Sequence, residues 1–458
     1  YALSVDANND IIMAGYTSSN DFPVTAGAFD QTYNGGSNDA FIAKFDASGS
    51  RLWATYLGGS GTTVDQIISV VTDAQNNIYF TGESNSPDFP VTTGAFKTTL
   101  TNFMGIYLPD AIIGKFTASG SQVWTTFFGG TPDDKGYSID VSGDGYLAVT
   151  GLAGISTLFT DFPTTPGAFQ TTSNVGSGYV CDAYAATFDT AGNQVWCTYY
   201  GGTQTSHGKG IAFDGSGNVI LAGHTQSNDM PHTGGSGYQP NHGGGTHDDF
   251  VVQFNSSGTA YNWATYYGGT GDEWSASCVV DNSDNIYLYS YTSSASGIVP
   301  ADAYQNSHGG GSDLLLVKFD TNGNRECATY LGGTLDDQHW YNGIAINSQM
   351  TVIGGETEGD LPVSTGAFQS TYGGGSHDGF VATFTGDCWG SGLPVELTGF
   401  SGYNENSANV LNWTTASEIN NDHFEIQRSK DGYAFETIGK VYGNGNMNTV
   451  SNYTFTDN

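Results

Sequence analysis

Trp53-Ala-Thr-Tyr-Leu-Gly-Gly59 is the stretch that decides the fold. It returns as Trp124-Thr-Thr-Phe-Phe-Gly-Gly130, Trp196-Cys-Thr-Tyr-Tyr-Gly-Gly202, Trp263-Ala-Thr-Tyr-Tyr-Gly-Gly269 and Cys327-Ala-Thr-Tyr-Leu-Gly-Gly333. Alternation along a strand puts Trp53 and Leu57 on one face and Ala54 and Tyr56 on the other, so both faces are apolar or aromatic. A sheet with one wet face would alternate apolar with polar residues, and these sheets must therefore be covered on both sides. Burial of a Trp contributes about 2–3 kcal/mol, which makes these side chains packing anchors between sheets.

Working outward, four sub-motifs recur in fixed order, six times, at a spacing of about 62 to 73 residues. A short apolar strand (Ile67-Ile-Ser-Val-Val71, Gly210-Ile-Ala-Phe213) leads through an Asn/Asp/Gly turn to a second strand (Ile78-Tyr-Phe-Thr-Gly82, Val219-Ile-Leu-Ala-Gly223). A long connection follows, carrying Asp21-Phe-Pro23 and Gly27-Ala-Phe29 and their echoes Asp88-Phe-Pro90, Gly94-Ala-Phe96, Asp161-Phe-Pro163, Gly167-Ala-Phe169, Asp229-Met-Pro231, Val299-Pro300, Asp360-Leu-Pro362 and Gly366-Ala-Phe368. Proline fixes the turn and the aromatic pins the loop, so these residues are expected to be structural plugs. The third strand is typified by Asp39-Ala-Phe-Ile-Ala-Lys-Phe45, and the Trp strand is the fourth.

Four antiparallel strands per repeat, packed face to face with copies of themselves around an axis, give an all-β chain with a β-propeller. Six four-stranded blades are expected, with seven as the alternative. The sixth repeat lacks its fourth strand and runs into Thr385-Gly-Asp-Cys-Trp-Gly390. Ring closure is expected from a strand upstream of Tyr1 or from residues near Cys388 and Trp389. Tyr1–Val5 already reads as a strand and Asn452–Asn458 stop within another, so both ends read as cuts.

Composition agrees, with 66 glycines among 458 residues and only 12% charged residues. A net charge of −34 makes phosphate backbones and anionic membrane surfaces poor partners. No apolar run approaches the roughly 18 residues of a membrane span. The five cysteines, Cys181, Cys197, Cys278, Cys327 and Cys388, form no CxxC pair. Cys327 stands where sibling repeats carry Trp and is expected to be a small buried apolar residue.

The Asp-Phe-Pro and Gly-Ala-Phe loop, the Asp39–Phe45 strand and the Trp53–Gly59 strand together resemble the SBBP β-propeller repeat family of secreted bacterial proteins, over about residues 1–385. That resemblance implies a propeller and an extracellular address; the family carries no common catalytic residues across. From Leu393 the glycine repetition stops, and Leu411-Asn-Trp-Thr-Thr-Ala-Ser-Glu-Ile-Asn-Asn-Asp-His-Phe-Glu-Ile426 with Arg428-Ser-Lys-Asp-Gly432 is similar to the immunoglobulin or fibronectin-like module of type IX secretion cargo. The expected domains are thus residues 1–390, the propeller, and 391–458, a truncated β-sandwich. The resemblance implies passage through the type IX machinery to the outer cell surface.

Candidate chemistry is sparse. Acidic pairs recur between the fourth strand and the next repeat: Asp133-Asp134, Asp272-Glu273 and Asp336-Asp337, with Asp65 alone in another repeat and His207 nearby in the third. Paired carboxylates can hold calcium or act as acid and base, but their recurrence points to turn roles. Histidines lie in Asn241-His-Gly-Gly-Gly-Thr-His-Asp248, His308-Gly-Gly-Gly311 and Gly375-Ser-His-Asp378, on Gly-rich loops that fix no metal geometry. No GxSxG elbow, Walker loop or CxxC pair occurs. The sequence assigns no catalytic or metal residue and no cofactor, calcium being the minority expectation. It reads as a non-catalytic surface protein for glycans or other proteins, with a self-assembling structural subunit and a polysaccharide-active enzyme using the funnel as alternatives.

Overall fold

The structure, a computed structural model, describes residues 2–457 except 63, 156–160, 177–179, 233–237, 340–342, 348–349, 365, 386–387, 390–394, 406–407, 430–434 and 448–449. Among the described residues every regular helix or strand is a strand. Contacts divide the chain into two compact units, Tyr1–Pro300 with Ser307–Cys388 and Ala301–Asn306 with Trp389–Asn458.

The first unit holds six antiparallel sheets in chain order. Sheet one is Ala2–Val5, Ile11–Thr17, Asp39–Phe45 and Arg51–Leu57; sheet two is Asp65–Thr72, Ile78–Ser84, Asp110–Phe116 and Gln122–Phe128. Sheet three is Asp134–Val141, Leu147–Ile155, Val180–Phe188 and Gln194–Tyr200; sheet four is Ser206–Phe213, Val219–Thr225, Asp248–Phe254 and Tyr261–Tyr267. Sheet five is Glu273–Val280, Ile286–Thr292, Asp313–Phe319 and Arg325–Leu331. In each, neighbours in sequence are neighbours in space, as hairpin turns require.

The first strands of all six sheets line one cavity of about 380 Å³, through Ala2–Leu3, Ile68–Val71, Ser138–Asp140, Ile211–Phe213, Cys278–Val280 and Ile344–Ile346. Sheets set radially about such an axis have the layout of a β-propeller. The core lies between sheets: Tyr79, Ile113, Trp124 and Phe128 of sheet two form one apolar cluster with Val149, Tyr184 and Phe188 of sheet three.

The first strands begin earlier than the sequence pattern suggests. Asp65, Asp134, Glu273 and Asp337 open these strands instead of lying in the connection before them. The apolar alternation is broken by a register shift at Ile67/Ser69, Gly136/Ser138, Gly208/Gly210 and Trp274/Ser277, which hides the first few residues from a period-two reading.

The fourth-strand Trp residues clamp each sheet to the next. Trp53, Trp124, Trp196 and Trp263 donate through Nε1 to the carbonyls of Ala118, Thr190, Ser256 and Thr321, at 3.0–3.2 Å. Each ring lies flat on the turn glycine of the following sheet; a Cβ on Gly192 would stand 2.8 Å from the Trp124 ring, at a φ of +84°. At the fifth step the pair is replaced. Cys327 holds the Trp position, Cys388 holds the glycine position four residues beyond Phe384, and the two form a disulfide with a Cα–Cα distance of 5.6 Å. The expectation of a plain apolar role for Cys327 is corrected: the bond substitutes for a ring that it is too small to supply.

Sheet six is shorter. Its first strand is split into Asp337–Gln338 and Ile344–Ile346, followed by Met350–Thr357 and Asp378–Thr385. Among the described residues nothing pairs with the outer edge of Asp378–Thr385, and Val381 is 77% exposed. Cys388 and Trp389, near one of the two expected sources of the missing strand, lie in no strand, and Cys388 is tied to sheet five; the neighbors 386–387 and 390–394 lie outside the described residues.

The loop side chains pack as plugs to differing degrees where a following sheet is present: Phe29 and Phe96 touch Phe116 and Phe128 but stay about 40% exposed. Phe89, Phe162 and Met230 are buried, and Phe169 packs against Phe254 and Tyr261 of sheet four at 6.0 and 5.0 Å. Phe368, the same position in the last repeat, is fully exposed. Phe169→Ala is therefore expected to cost about 2 kcal/mol and Phe368→Ala less than about 0.5 kcal/mol, measured by urea unfolding.

In the second unit, Val395–Glu405, Ala408–Ser429, Phe435–Met447 and Ser451–Asp457 form one hydrogen-bonded sheet. Trp413 and Phe424 lie on the same strand, which if straight would hold them roughly 36 Å apart, yet their rings meet at 5.2 Å. The strand folds back on itself, and Tyr453 closes the small core against both rings.

Candidate functional site

The acidic pairs do not converge. Asp134 is buried and accepts from the amides of Gly130 and Gly154 at 2.6 and 3.0 Å. Asp65 accepts from Gly59 N, Glu273 from Gly269 N and Asp337 from Gly333 N, at 2.7–3.1 Å. The outer members bind back to Gly-rich loops: Asp272 accepts from the amides of Thr246 and His247, and Asp336 from Ser312 N. Each carboxylate thus ties a Gly-Gly turn or a loop to the start of the next sheet. Burial pushes Asp134 well above the usual carboxylate range and Glu273 up to about 7. Of the acids, only Asp140 lines the axial cavity.

A different set of residues comes together at the end of the ring where the first strands begin. As their second residue the first strands of sheets two to six carry Gln66, Lys135, His207, Trp274 and Gln338, after an anchoring acid in each case except His207, which follows Ser206; across the ladder they pair with Glu83, Leu152, His224, Tyr291 and Glu356. From sheet two to sheet five this level changes its chemistry at each step, Gln–Glu, Lys–Leu, His–His and Trp–Tyr, and the Gln–Glu pair returns in sheet six. The residues form a continuous arc over sheets two to five. Gln66 donates to Glu83, whose carboxylate lies 2.9 Å from Lys135 Nζ. Lys209 Nζ sits 3.7 Å above the Tyr137 ring, and the His247 ring lies 3.7 Å from Trp274.

The center of the arc is a directed hydrogen-bond chain. The Ser275 amide donates to His224 Nδ1 at 3.2 Å. A backbone N–H can only donate, so neutral His224 carries its proton on Nε2 and gives it to His207 Nδ1 at 3.1 Å. His207 in turn carries its proton on Nε2, facing Cys181 Sγ at 3.0 Å. Ser275 is held at a φ of 65°, unusual for a residue with a side chain, and that conformation aims the amide. Both imidazoles stay neutral, because burial lowers His207 to about 3 and His224 further below the usual range. Burial also pushes the Cys181 thiol up to about 12. The ring nitrogens are used pairwise, and among the described residues no three His, Cys, Asp or Glu side chains are placed to hold a metal ion.

His247 and His207, both noted in the sequence, belong to this arc. His242 instead faces Asp248 at 3.5 Å, His308 bonds the Thr292 carbonyl and His377 faces Glu358 at 3.4 Å. His224, Cys181, Lys209 and Trp274 escaped sequence reasoning. Aligning the repeats on the residue after the Gly-Gly turn that opens each first strand, an acid in four sheets and Ser206 in sheet four, and asking which next column varies would have found His207, Trp274 and their ladder partners.

Comparison with known proteins agrees with the repeat architecture. The model of the SBBP family, described as a beta-propeller repeat, matches residues 52–90 and 195–230. Each match runs from the fourth strand of one sheet to the proline loop of the next, so the sequence unit straddles two sheets. Regulatory protein FlaEY of Caulobacter vibrioides is 24% identical over 84% of this chain and 40% of its own length. An uncharacterized WD repeat-containing protein of Acanthamoeba polyphaga mimivirus is 23% identical over 63% of this chain and 24% of its own length. The chain therefore spans less than half of either curated relative. Among solved structures, a protein of unknown function from Dyadobacter fermentans aligns with a TM-score of 0.44 at 8% identity, covering 83% of this chain and 92% of that one. A polysaccharide lyase, an ulvan lyase, aligns with a TM-score of 0.39 at 10% identity, covering 90% and 78%. With two segments matching the repeat model and six sheets following the same plan, the chain is a protein of β-propeller repeats.

Proposed function

We propose that the chain is the ligand-binding part of a secreted bacterial surface protein, and that it binds a glycan, without transforming it, at the axial end built by His207, His224, His247, Trp274 and Tyr291. The observation that carries this reading is the column of residues whose chemistry changes from each of sheets two to five to the next, while the strand plan around it repeats. Half-buried aromatic faces beside neutral imidazoles of fixed tautomer suit a sugar, which offers C–H faces and hydroxyls that both donate and accept. Asp134, Glu273 and Asp337, the carboxylates at the strand starts, are committed to backbone amides, and Glu83 to Lys135 and Gln66.

The ring is taken as six-bladed, with the open edge of Asp378–Thr385 as the seat of the sixth blade's fourth strand. The Cys327–Cys388 disulfide supports an oxidizing, extracellular compartment, and the C-terminal resemblance supports type IX export.

Binding of oligosaccharides by glycan array, followed by calorimetry, tests the function. Trp274→Ala is expected to weaken the best ligand about 10-fold or more while leaving the melting temperature within a few degrees. Absence of any glycan binding by the full chain would remove the proposal.

A further inference from the structure

Building on the glycan reading, we propose that the ligand is an anionic glycan and that Lys209 Nζ receives its carboxylate or sulfate group. The chain has 45 acidic and only 11 basic residues, so a partner for any lysine is easily placed. Lys44 is paired with Asp6 and Asp10, Lys97 with Asp110, Lys135 with Glu83 and Lys318 with Glu326. Lys209, like Lys115 over the Tyr79 ring at 4.8 Å, has no carboxylate within 4 Å among the described residues; its ammonium rests on the Tyr137 ring at 3.7 Å and, unlike Lys115, it stands in a bulge beside the histidine chain.

The position is built by the backbone. Lys209 is the extra residue of the Gly208/Gly210 bulge in sheet four, and Tyr137 is the extra residue of the Gly136/Ser138 bulge in sheet three. Two bulges at the same level of adjacent strands bring the cation and the ring together beside the histidine chain. Lys209 acts electrostatically on His207 and His224, and Lys135 acts on Lys209. Burial and the charge of Lys135 push Lys209 down to about 8, the penalty of an ammonium without a counter-ion, which a bound anion would relieve. His247, 93% buried by its 7% exposure, leaves Nδ1 without a partner in the same arc and offers a second contact.

The net charge of −34 does not oppose this. Screening over about 8 Å at physiological ionic strength removes most of the distant field. Glu83, the carboxylate of the arc in sheet two, is engaged by Lys135 and Gln66. What remains locally is the charge of Lys209.

Calorimetric titration of the full chain with an oligouronate, a sulfated oligogalactan and a neutral oligosaccharide of equal length tests the proposal, on wild type, Lys209→Met and Lys209→Arg. A charged sugar is expected to bind about 10-fold or more tightly than the neutral one. Lys209→Met should abolish that preference with an unchanged melting temperature, and Lys209→Arg should keep it. The better of the two charged sugars identifies the anion as carboxylate or sulfate. Equal binding of charged and neutral sugars, or an unaltered preference in Lys209→Met, overturns the anionic assignment and leaves the glycan reading in place. If none of the sugars binds, the glycan reading fails, and acetylation mapped by mass spectrometry at a pH of about 8 decides the anion site separately. Inorganic sulfate or glucuronate that slows modification of Lys209 several-fold relative to Lys115 supports it; equal rates overturn it.

Discussion

Replacing Cys327 or Cys388 by serine is expected to destabilize the sixth sheet by about 4 kcal/mol, the chain-entropy value for a loop of this length, the two cysteines being 61 residues apart. The loss should be local. Sheets one to five hold each other through four Trp clamps, whereas sheet six has an unpaired outer edge and an unfilled Phe368 position. In a repeat architecture each unit contacts only its neighbors, so the weakest unit opens first. Native-state proteolysis should cut within about residues 340–390 in both variants before the rest of the ring is touched. The two single variants and the double variant should lose the same amount, because all three remove one bond. A reductant should bring the wild type to their level and leave the variants unchanged. Additive losses would mean that the cysteines act through packing, and an unchanged cutting pattern would mean that the bond carries none of the sheet's stability.

That bond also marks the boundary of what the sequence could yield. Trp53, Trp124, Trp196 and Trp263 were legible as inter-sheet anchors because a large ring on a strand with two apolar faces has nowhere else to go. The repetition then gave the strand order within each sheet directly. Cys327 was legible only as an exception. Its partner stands in the one repeat whose fourth strand is missing, so the turn that would have aligned Cys388 with Gly120, Gly192, Gly258 and Gly323 could not be recognized from one side. Strand starts were blurred for a related reason: a bulge adds one residue to the period, and the acids that open the strands then look like loop residues.

The site was less legible than the fold. Repetition draws attention to whatever recurs, and what recurs here is structural. Asp134, Glu273 and Asp337 recur because a Gly-Gly turn needs an acceptor for its amide, and the glycines recur because the carboxylates leave no room. A Cβ on Gly201 would fall 1.9 Å from Asp182 Oδ1. The arc from Gln66 to Trp274 changes from one sheet to the next, and its members on successive first strands are about 67 to 72 residues apart in the chain. His224 meets Ser275 N only because sheets four and five are adjacent around the axis.

Those same buried acids reverse the usual dependence of stability on pH. Burial first, and then neighboring carboxylates for the first three, push Asp39 and Asp110 up to about 6 and Asp248 up to about 7; burial also pushes Asp182 up to about 7. In the unfolded chain these groups release their protons near 3.8. Between about pH 4 and 7 these acids therefore hold more protons in the folded protein than in the unfolded one; the buried neutral His207 and His224 act in the opposite sense below about pH 6.5 but are outnumbered, and stability falls as pH rises through that window. The turn carboxylates act in the opposite sense lower down. Hydrogen bonds from Ser48 and Ser50 hold Asp46 below its ordinary value, and those from Thr334 hold Asp360 below, so their contribution is lost as pH drops under about 4. The melting temperature, measured in a chelator, should peak near pH 4–5 and decline toward pH 8 instead of peaking near neutrality. Asp182→Asn, which fixes the neutral form, should flatten the decline and add on the order of 3 kcal/mol at pH 8. Calcium seated among these carboxylates would give the reverse slope, because the cation stabilizes the ionized forms. A melting temperature that rises toward pH 8 in calcium and collapses with chelator would overturn the buried neutral acids and place a metal in each inter-sheet connection.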